Sequence, residues 1–346
     1  MKLNHVSRIT YHEVNMKPLI KKLVESYGPS GHEEQIREII RGEIKGLADY
    51  VTIDPLGNLI AVYKKKAKSG KKVMLAAHMD EIGLIVSHID SKGFASFVPV
   101  GGVNPLTCIG GRVRFANDAV GVIGVHHRRD SNGAPTIDDL FIDTGATSAS
   151  DAAIKVGDAA GFFRPLEEIG DRLVAKSMDD RISCAVMIEV MRQLKRTPHE
   201  VQFVFTVQEE IGTRGATTSA FGLDPEVAFS IDVTATGDTP KGHRMEVALG
   251  NGAAIKVRDA GMISDPRLVT LLEQRASEAK VKSQREVLQG GSTDARAIQV
   301  VRAGVPSGCV SIPCRYVHSP SEMVDMRDVN AAVSLLVETL EKPIDL

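Results

Sequence analysis

The stretch Val73-Met74-Leu75-Ala76-Ala77-His78-Met79-Asp80-Glu81 is the most informative about the fold, because a continuous apolar run ends there in a histidine and two carboxylates. A short apolar run of this kind is typical of a strand buried within a sheet. Val201–Val207 precedes Glu209-Glu210 in the same way, and Val227–Ile231 precedes Asp232. The carboxyl ends of strands in an open α/β sheet line one crevice, so we expect these polar side chains to converge.

Helical and strand patterns alternate around these runs. The pattern between Lys17 and Leu47 predicts two helices separated by the turn Gly28-Pro29-Ser30-Gly31. Further strands are predicted at Tyr50–Ile53 and Leu59–Tyr63, and further helices at Ile182–Leu194, Asp265–Ala279 and Val329–Leu340. This alternation favours an α/β domain.

A different pattern occupies the region from Glu81 to about Gly170. Short β-like runs alternate there with glycine turns such as Gly101-Gly102 and Gly110-Gly111, and long helical patterns are missing. We therefore predict one α/β domain, residues 1–80 and 172–346, interrupted by a β-rich insertion, residues 81–171.

Composition excludes several classes of function. The 346 residues are 43% hydrophobic and 25% charged with a net charge of -2, so the chain has no basic field for nucleic acid or an anionic membrane. Residues 1–16 lack the apolar core of a signal peptide, and no apolar run reaches membrane length. We expect a cytoplasmic protein whose four cysteines are reduced packing residues.

The candidate metal ligands are two imidazoles and several carboxylates, a mixture that suits zinc, cobalt or manganese. They are His78, the pair Asp179-Asp180, the pair Glu209-Glu210, Asp232 and His318. Each has a simpler interpretation in isolation: His78 as a hydrogen-bonded structural histidine, Asp179-Asp180 as a helix cap, and Glu209-Glu210 as a solvated strand end. Residues i and i+2 of a strand point to one side, which allows Asp80 to orient His78.

Adjacent glutamates on a regular strand point to opposite faces, so Glu209 and Glu210 cannot both aim at one site from a strand. The turn Ile211-Gly212-Thr213-Arg214-Gly215 can relieve this constraint. One of the two glutamates can then ligate a metal while the other stands free as a general base.

Five motifs in register resemble the M42 family of metalloaminopeptidases, and the resemblance extends over nearly the whole chain. They are His78-Met79-Asp80-Glu81-Ile82-Gly83, Met178-Asp179-Asp180-Arg181, Glu209-Glu210-Ile211-Gly212, Ser230-Ile231-Asp232 and Arg315-Tyr316-Val317-His318-Ser319. The turn Gly28-Pro29-Ser30-Gly31 and the segment Gly291-Ser292-Thr293-Asp294-Ala295 are also similar.

The resemblance implies a site with two divalent ions. Asp179 would bridge them, His78 and Asp232 would complete one ion, and Glu210 with His318 would complete the other. Glu209 then falls on the catalytic base, and Asp80 on the residue that orients His78. The implied fold is of the zinc-peptidase type, a mixed central sheet flanked by helices with an inserted barrel-like β domain. That domain would form dimers, which in this family commonly assemble into tetrahedral dodecamers.

Two other functions are weighed against an aminopeptidase acting on peptides. A glycosidase also uses paired carboxylates, but it seldom needs two histidines, and this chain has no tryptophan and few aromatics for sugar stacking. An inactive, shell-forming binding protein is disfavoured because Glu209 and the full ligand set are present. The sequence leaves the preferred N-terminal residue open.

Two features depart from the family pattern. They are the extension before Met16 and the basic cluster His126-His127-Arg128-Arg129. Adjacent histidines on a strand face opposite ways, so we favour surface or interface histidines over a metal site in this cluster. The lysine-rich stretch Lys64–Lys72 is interpreted as a solvated hairpin loop.

Overall fold

The structure is a computed structural model that describes residues 15–64, 70–126 and 133–346. The helices are α1 (Lys17–Val24), α2 (Glu34–Glu43), α3 (Pro105–Cys108), α4 (Met178–Gln193), α5 (Arg214–Leu223), α6 (Pro266–Ala279), α7 (Asp294–Gln299) and α8 (Met326–Glu341). The strands are β1 (Tyr50–Ile53), β2 (Leu59–Tyr63), β3 (Lys72–His78), β4 (Gly83–Ile89), β5 (Ala95–Val100), β6 (Arg112–Phe115), β7 (Val120–Val125), β8 (Leu140–Asp143), β9 (Ala159–Phe162), β10 (Glu167–Ile169), β11 (Arg172–Ala175), β12 (Glu200–Thr206), β13 (Val227–Thr234), β14 (Ala253–Arg258), β15 (Ser283–Val287), β16 (Ser307–Arg315) and β17 (Glu322–Asp325).

A large mixed sheet forms the centre of the molecule. Its strand order is β1-β2-β12-β3-β13-β16-β17-β11-β10, with β14 joining β16 to β15. The neighbours β12, β3, β13 and β16 run parallel, whereas β2 is antiparallel to β12. The four parallel strands therefore end at the same edge, which is where the predicted site residues follow them.

Both faces of this sheet are buried under helices. On β3, Val73, Leu75 and Ala77 belong to the core that includes residues of α1, α4 and α8, whereas Met74 and Ala76 pack with residues of α5 and α7. Alternation of side chains along a strand assigns successive residues to opposite faces. Burial on both sides explains why β3 is a continuous apolar run.

The β-rich region contains a closed antiparallel barrel with strand order β4-β5-β8-β7-β6-β9. Leu84, Phe97, Val113 and Phe115 are among the buried residues of its own core. Closure pairs every strand with two neighbours and removes exposed sheet edges. The barrel is thus a second packing unit inserted between β3 and β11.

The predicted fold class is confirmed, since a mixed sheet flanked by helices carries an inserted barrel. The predicted helices and strands are present with ends shifted by a few residues, and the helices α3, α5 and α7 and the strands β14 and β15 are additions to the prediction. Strand β10 pairs with β11 of the large sheet although it falls inside the predicted insertion. The division into residues 1–80 with 172–346 and residues 81–171 stays a prediction.

Several sequence features lie partly or wholly outside the described residues. These are residues 1–14 of the N-terminal extension, residues 65–69 of the lysine-rich stretch, and residues 127–129 of the basic cluster. His126 is described: its side chain is exposed, and its ring lies 5.0 Å from that of Phe141. All four cysteines are free and buried, as predicted. Among the described helices, none is both long and apolar enough to cross a membrane.

Candidate metal centre and active site

The predicted ligands come from five separate segments that meet at the carboxyl edge of the parallel strands. His78 is the last residue of β3, Asp232 lies near the end of β13, and Glu210 follows β12. Asp179 lies in the first turn of α4, and His318 follows β16. Residues distant in sequence are therefore brought together by strand order, as the sequence predicts.

Asp179 lies between the two imidazoles. Its Oδ1 is 3.0 Å from Nε2 of His78, and its Oδ2 is 3.3 Å from Nε2 of His318. Nε2 of His318 is also 3.3 Å from Oε2 of Glu210. Each carboxylate oxygen of Asp179 thus faces a different histidine, which is the arrangement that a bridging ligand requires.

Two groups of side chains place their ligand atoms within 4.8 Å of one another. One group is His78, Asp179 and Glu210, and the other is His78, Asp180 and Asp232. Asp180 is absent from the ligand set that the family resemblance implies. Its Oδ2 accepts a hydrogen bond of 3.3 Å from the backbone N–H of His78.

The aspartate pair lies at a kink at the start of α4. Ser177 makes no side-chain capping bond, and Asp179 and Asp180 have non-helical backbone angles, so the regular turns of the helix begin after the pair. The sequence could not distinguish the two roles, since a pair of aspartates before an apolar helix is equally typical of a cap.

Asp80 fixes the orientation of the His78 ring and the backbone of Glu209 and Glu210. Nδ1 of His78 lies 3.1 Å from the backbone oxygen of Asp80 and 3.4 Å from its Oδ1, which leaves Nε2 facing the carboxylates. The same carboxylate accepts hydrogen bonds from the backbone N–H groups of Glu209 and Glu210, at 3.0 and 3.2 Å, and from the hydroxyl of Ser30 at 2.5 Å. Burial alone would raise the pKa of Asp80, but these bonds and the imidazole hold it below its usual value.

The segment before the two glutamates is fixed by side chains that the sequence analysis missed. Oδ1 of Asn58 accepts from the backbone N–H of Val207 at 3.0 Å, and Oε1 of Glu33 accepts from that of Gln208 at 3.1 Å. Gln208 has φ of 56°, so the chain leaves the strand direction there. Regular alternation is therefore broken at Gln208, before both glutamates, rather than first in the predicted turn Ile211-Gly212-Thr213-Arg214-Gly215.

Glu209 differs from Glu210 in its contacts. Its carboxylate makes no hydrogen bond to another residue in the described part of the chain, and Glu209 lines a cavity over the cluster. Glu210 instead contacts His318, and Glu209 belongs to neither ligand group. Glu209 therefore has the freedom that a general base needs.

The carboxylates of this cluster favour protonation or a bound cation. Burial raises the pKa of Glu209, Glu210 and Asp232, and the charges of neighbouring carboxylates raise it further. Burial would lower the pKa of His318, but hydrogen bonds with Asp179 and Glu210 raise it to about 12. A divalent cation would replace these protons, so its binding should be coupled to proton release.

The side chains fit a divalent cation. Imidazole nitrogens and carboxylate oxygens are together the ligands of zinc, cobalt and manganese sites. Oε1 of Glu210 and Oδ1 of Asp180 are buried and have no hydrogen-bond partner within the described ranges. Unpaired buried oxygens are costly, and coordination would satisfy them.

A cavity of about 520 Å³ opens over this cluster. It is lined by the five predicted ligands, Glu209, and residues such as Thr234, Lys256, Leu288 and Thr293. No phenylalanine, tyrosine or tryptophan occurs in the described lining. Carbohydrate sites use such rings for stacking, so the lining disfavours a glycosidase.

Comparisons with known proteins agree with this geometry. The family model of the M42 glutamyl aminopeptidases matches residues 57–335. A lysyl aminopeptidase of Pyrococcus furiosus is 38% identical over 94% of this chain and 98% of the relative. An aminopeptidase of Desulfurococcus kamchatkensis has a solved structure with a TM-score of 0.91, 39% identity and coverage of 94% of both chains.

A further solved structure is the TET1 peptidase of Pyrococcus horikoshii, described as assembling into a tetrahedron or a large octahedral shell. It has a TM-score of 0.84 and 31% identity, and the match covers 94% of this chain and 99% of that one. From the extent of these matches, the chain belongs to the M42 glutamyl aminopeptidase family and is a peptidase.

Proposed function

We propose that the chain removes N-terminal residues from peptides with two divalent metal ions held by His78, Asp179, Glu210, Asp232 and His318. The observation that carries the proposal is the position of Asp179 between two imidazoles, in a cavity also lined by Glu209, whose carboxylate makes no hydrogen bond among the described residues. The aminopeptidase names of similar proteins support the reaction class.

The bound ions, Glu209 and Asp80 have separate roles in hydrolysis. When bound, the two ions supply an acidified water, polarise the peptide carbonyl and hold the free α-amine. Glu209 takes a proton from the attacking water and returns it to the departing amine. Asp80 keeps Nε2 of His78 directed at the carboxylates, and it fixes the position of Glu209 by accepting a hydrogen bond from its backbone N–H.

Asp180 is a candidate to support the ion nearest Asp232. Its ligand atom is grouped with those of His78 and Asp232, and one of its oxygens is buried without a hydrogen-bond partner among the described residues. The other oxygen fixes the backbone N–H of His78. We assign it an orienting role behind the five primary ligands.

The barrel is proposed to form dimers that assemble further. Val98, Val120 and Val122 are between 41% and 48% exposed. They lie on β5 and β7, the two strands that pair with β8. Exposed apolar residues on strands of one barrel are typical of an association surface. Replacing Val120 and Val122 with lysine should lower the mass of the particle in analytical ultracentrifugation, and an unchanged mass would exclude this face.

A panel of aminoacyl chromogenic amides tests the function and its specificity together. The enzyme is stripped by a chelator, dialysed, and assayed after zinc, cobalt or manganese is restored. We expect no turnover without metal, recovery with at least one ion, and a preference that identifies the first residue. Full turnover after exhaustive chelation would refute the mechanism. A cytoplasmic location remains a prediction.

A further inference from the structure

A second cavity adjoins the first at three shared residues. It has a volume of about 880 Å³, and Gly102, Val317 and His318 line both cavities. The remaining four predicted ligands and Glu209 line only the first cavity. The two spaces therefore meet beside His318, at the boundary of the metal cluster.

The absence of a side chain at Gly102 keeps the wall between the two cavities thin. A Cβ atom there would lie 2.4 Å from Nδ1 and 2.8 Å from Cε1 of His318. Any larger residue would push against the imidazole that separates the two cavities. The backbone can approach the ring closely only because the side chain is absent.

We propose that the second cavity, which we call the exit groove, holds the part of the peptide that follows the scissile bond and selects a carboxylate there. The proposal rests on the proposed aminopeptidase function. An exopeptidase needs space for one residue before the cleaved bond and a path for the remaining chain after it. The exit groove is the larger space and begins at a predicted ligand, so it meets the second requirement.

The charge of the exit groove indicates the chemistry of its ligand. Arg112 and Arg164 line it, and both are exposed. In the described part of the chain, neither has a carboxylate within the 4.0 Å of an ion pair. Glu167 is the single acidic residue of the described lining. Guanidinium groups without acidic partners are suited to bind a carboxylate through two hydrogen bonds.

Arg112 is also positioned by an aromatic ring. Its guanidinium carbon lies 5.5 Å from the centroid of the Phe163 ring, and that of Arg114 lies 3.9 Å from the same ring. The cation–π contact with Phe163 reduces the rotational freedom that Arg112 would lose on binding. A peptide carboxylate in the groove would therefore meet a partly preorganised partner.

The carboxylate could come from two sources. It could be the side chain of an aspartate or glutamate that follows the cleaved bond, or the C-terminal carboxylate of a di- or tripeptide. Two matched pairs of substrates distinguish them. With X as the residue preferred in the chromogenic panel, one pair is X-Asp-Ala-amide and X-Asn-Ala-amide, and the other is X-Ala-Ala as the free acid and as the amide.

The measurement is the ratio of kcat/KM within each pair, so a general loss of activity cancels. For the natural chain we expect the acidic member to be favoured by roughly three- to tenfold, mainly through KM, in at least one pair. The double variant Arg112→Gln/Arg164→Gln should bring that ratio to within about twofold of unity. Arg258→Gln is the matched control, since Arg258 is exposed and lies outside both described linings.

Each outcome decides the proposal. A preference in the first pair assigns the groove to acidic side chains, and a preference in the second assigns it to the C-terminus. Ratios of kcat/KM near unity in both pairs for the natural chain overturn the groove assignment. A preference that survives in the double variant also overturns it. Loss of hydrolysis of the chromogenic amides under every metal refutes the aminopeptidase function itself, which is a separate result.

Discussion

The backbone N–H of Asp179 donates a hydrogen bond of 2.9 Å to Oε2 of Glu322, a residue 143 positions later in the chain. The other oxygen of Glu322 accepts from the backbone N–H of His318 at 2.8 Å. Glu322 is 1% exposed. One buried carboxylate thus joins the backbones of two predicted ligands and fixes their separation.

Replacing Glu322 with glutamine should weaken metal binding. The amide has a single acceptor oxygen, so either Asp179 or His318 loses a backbone partner. Changes of residues that support metal ligands commonly cost 10- to 100-fold in affinity, and we expect at least about tenfold here. Competition with a fluorescent chelator measures the Kd. An unchanged Kd would assign Glu322 a role in packing alone.

Gly102→Ala should displace the imidazole of His318. The added Cβ would lie 2.4 Å from Nδ1 of the ring, a distance that requires the ring to move. We expect a lower metal content and at least a tenfold lower kcat/KM on a chromogenic amide, measured on the same preparation by elemental analysis and steady-state kinetics.

Gly42→Ala is the matched control for this substitution. Gly42 lies in α2, and a Cβ atom there meets nothing within 4 Å. Activity should be unchanged and stability should rise by about 0.5 to 1 kcal/mol, because alanine is the better helix former. Equal activity of the two alanine variants would mean that His318 tolerates the contact.

Glu33 should make stability depend on pH. Burial and the charge of Asp80 raise the pKa of Glu33 to about 7 from 4.5. Between these values the folded chain keeps a proton on Glu33 that the unfolded chain has lost. The contribution of Glu33 to the free energy of unfolding is therefore complete below pH 4.5 and is lost as pH rises to 7. The expected loss is about 3 kcal/mol at 1.36 kcal/mol per pKa unit.

Glu33→Gln should remove this part of the pH dependence. The amide oxygen can still accept the backbone bonds from Gly31 and Gln208 that Oε1 accepts now. Urea unfolding between pH 4.5 and 8 measures the slope, with Glu34→Gln as the exposed neighbouring control. Parallel slopes for the natural chain and the Glu33 variant would show that Glu33 does not hold this proton.

Sequence patterns predicted the parts of the site that follow from strand order. His78 and Asp232 lie at or near the ends of buried parallel strands, so an apolar run followed by a polar residue is sufficient to locate them. Burial on both sheet faces also made β3 and β13 recognisable as continuous apolar runs. These features are local and therefore visible in a single sequence.

Other parts of the site depend on contacts between distant segments. Glu33 and Asn58 follow glycine turns, and the sequence gives no sign that their side chains hold residues 207–208. Glu322 lies in a four-residue strand with no pattern of its own. Asp180 cannot be distinguished from Asp179 until the backbone angles at the start of α4 are known.

The role of Glu209 is tested most directly by the metal content and kcat of Glu209→Gln measured on one preparation. We expect the variant to bind as many metal ions per subunit as the natural chain while kcat falls by about 10²- to 10⁴-fold. Near-normal kcat with full metal content would contradict the assignment of Glu209 as the base that acts over the metal cluster.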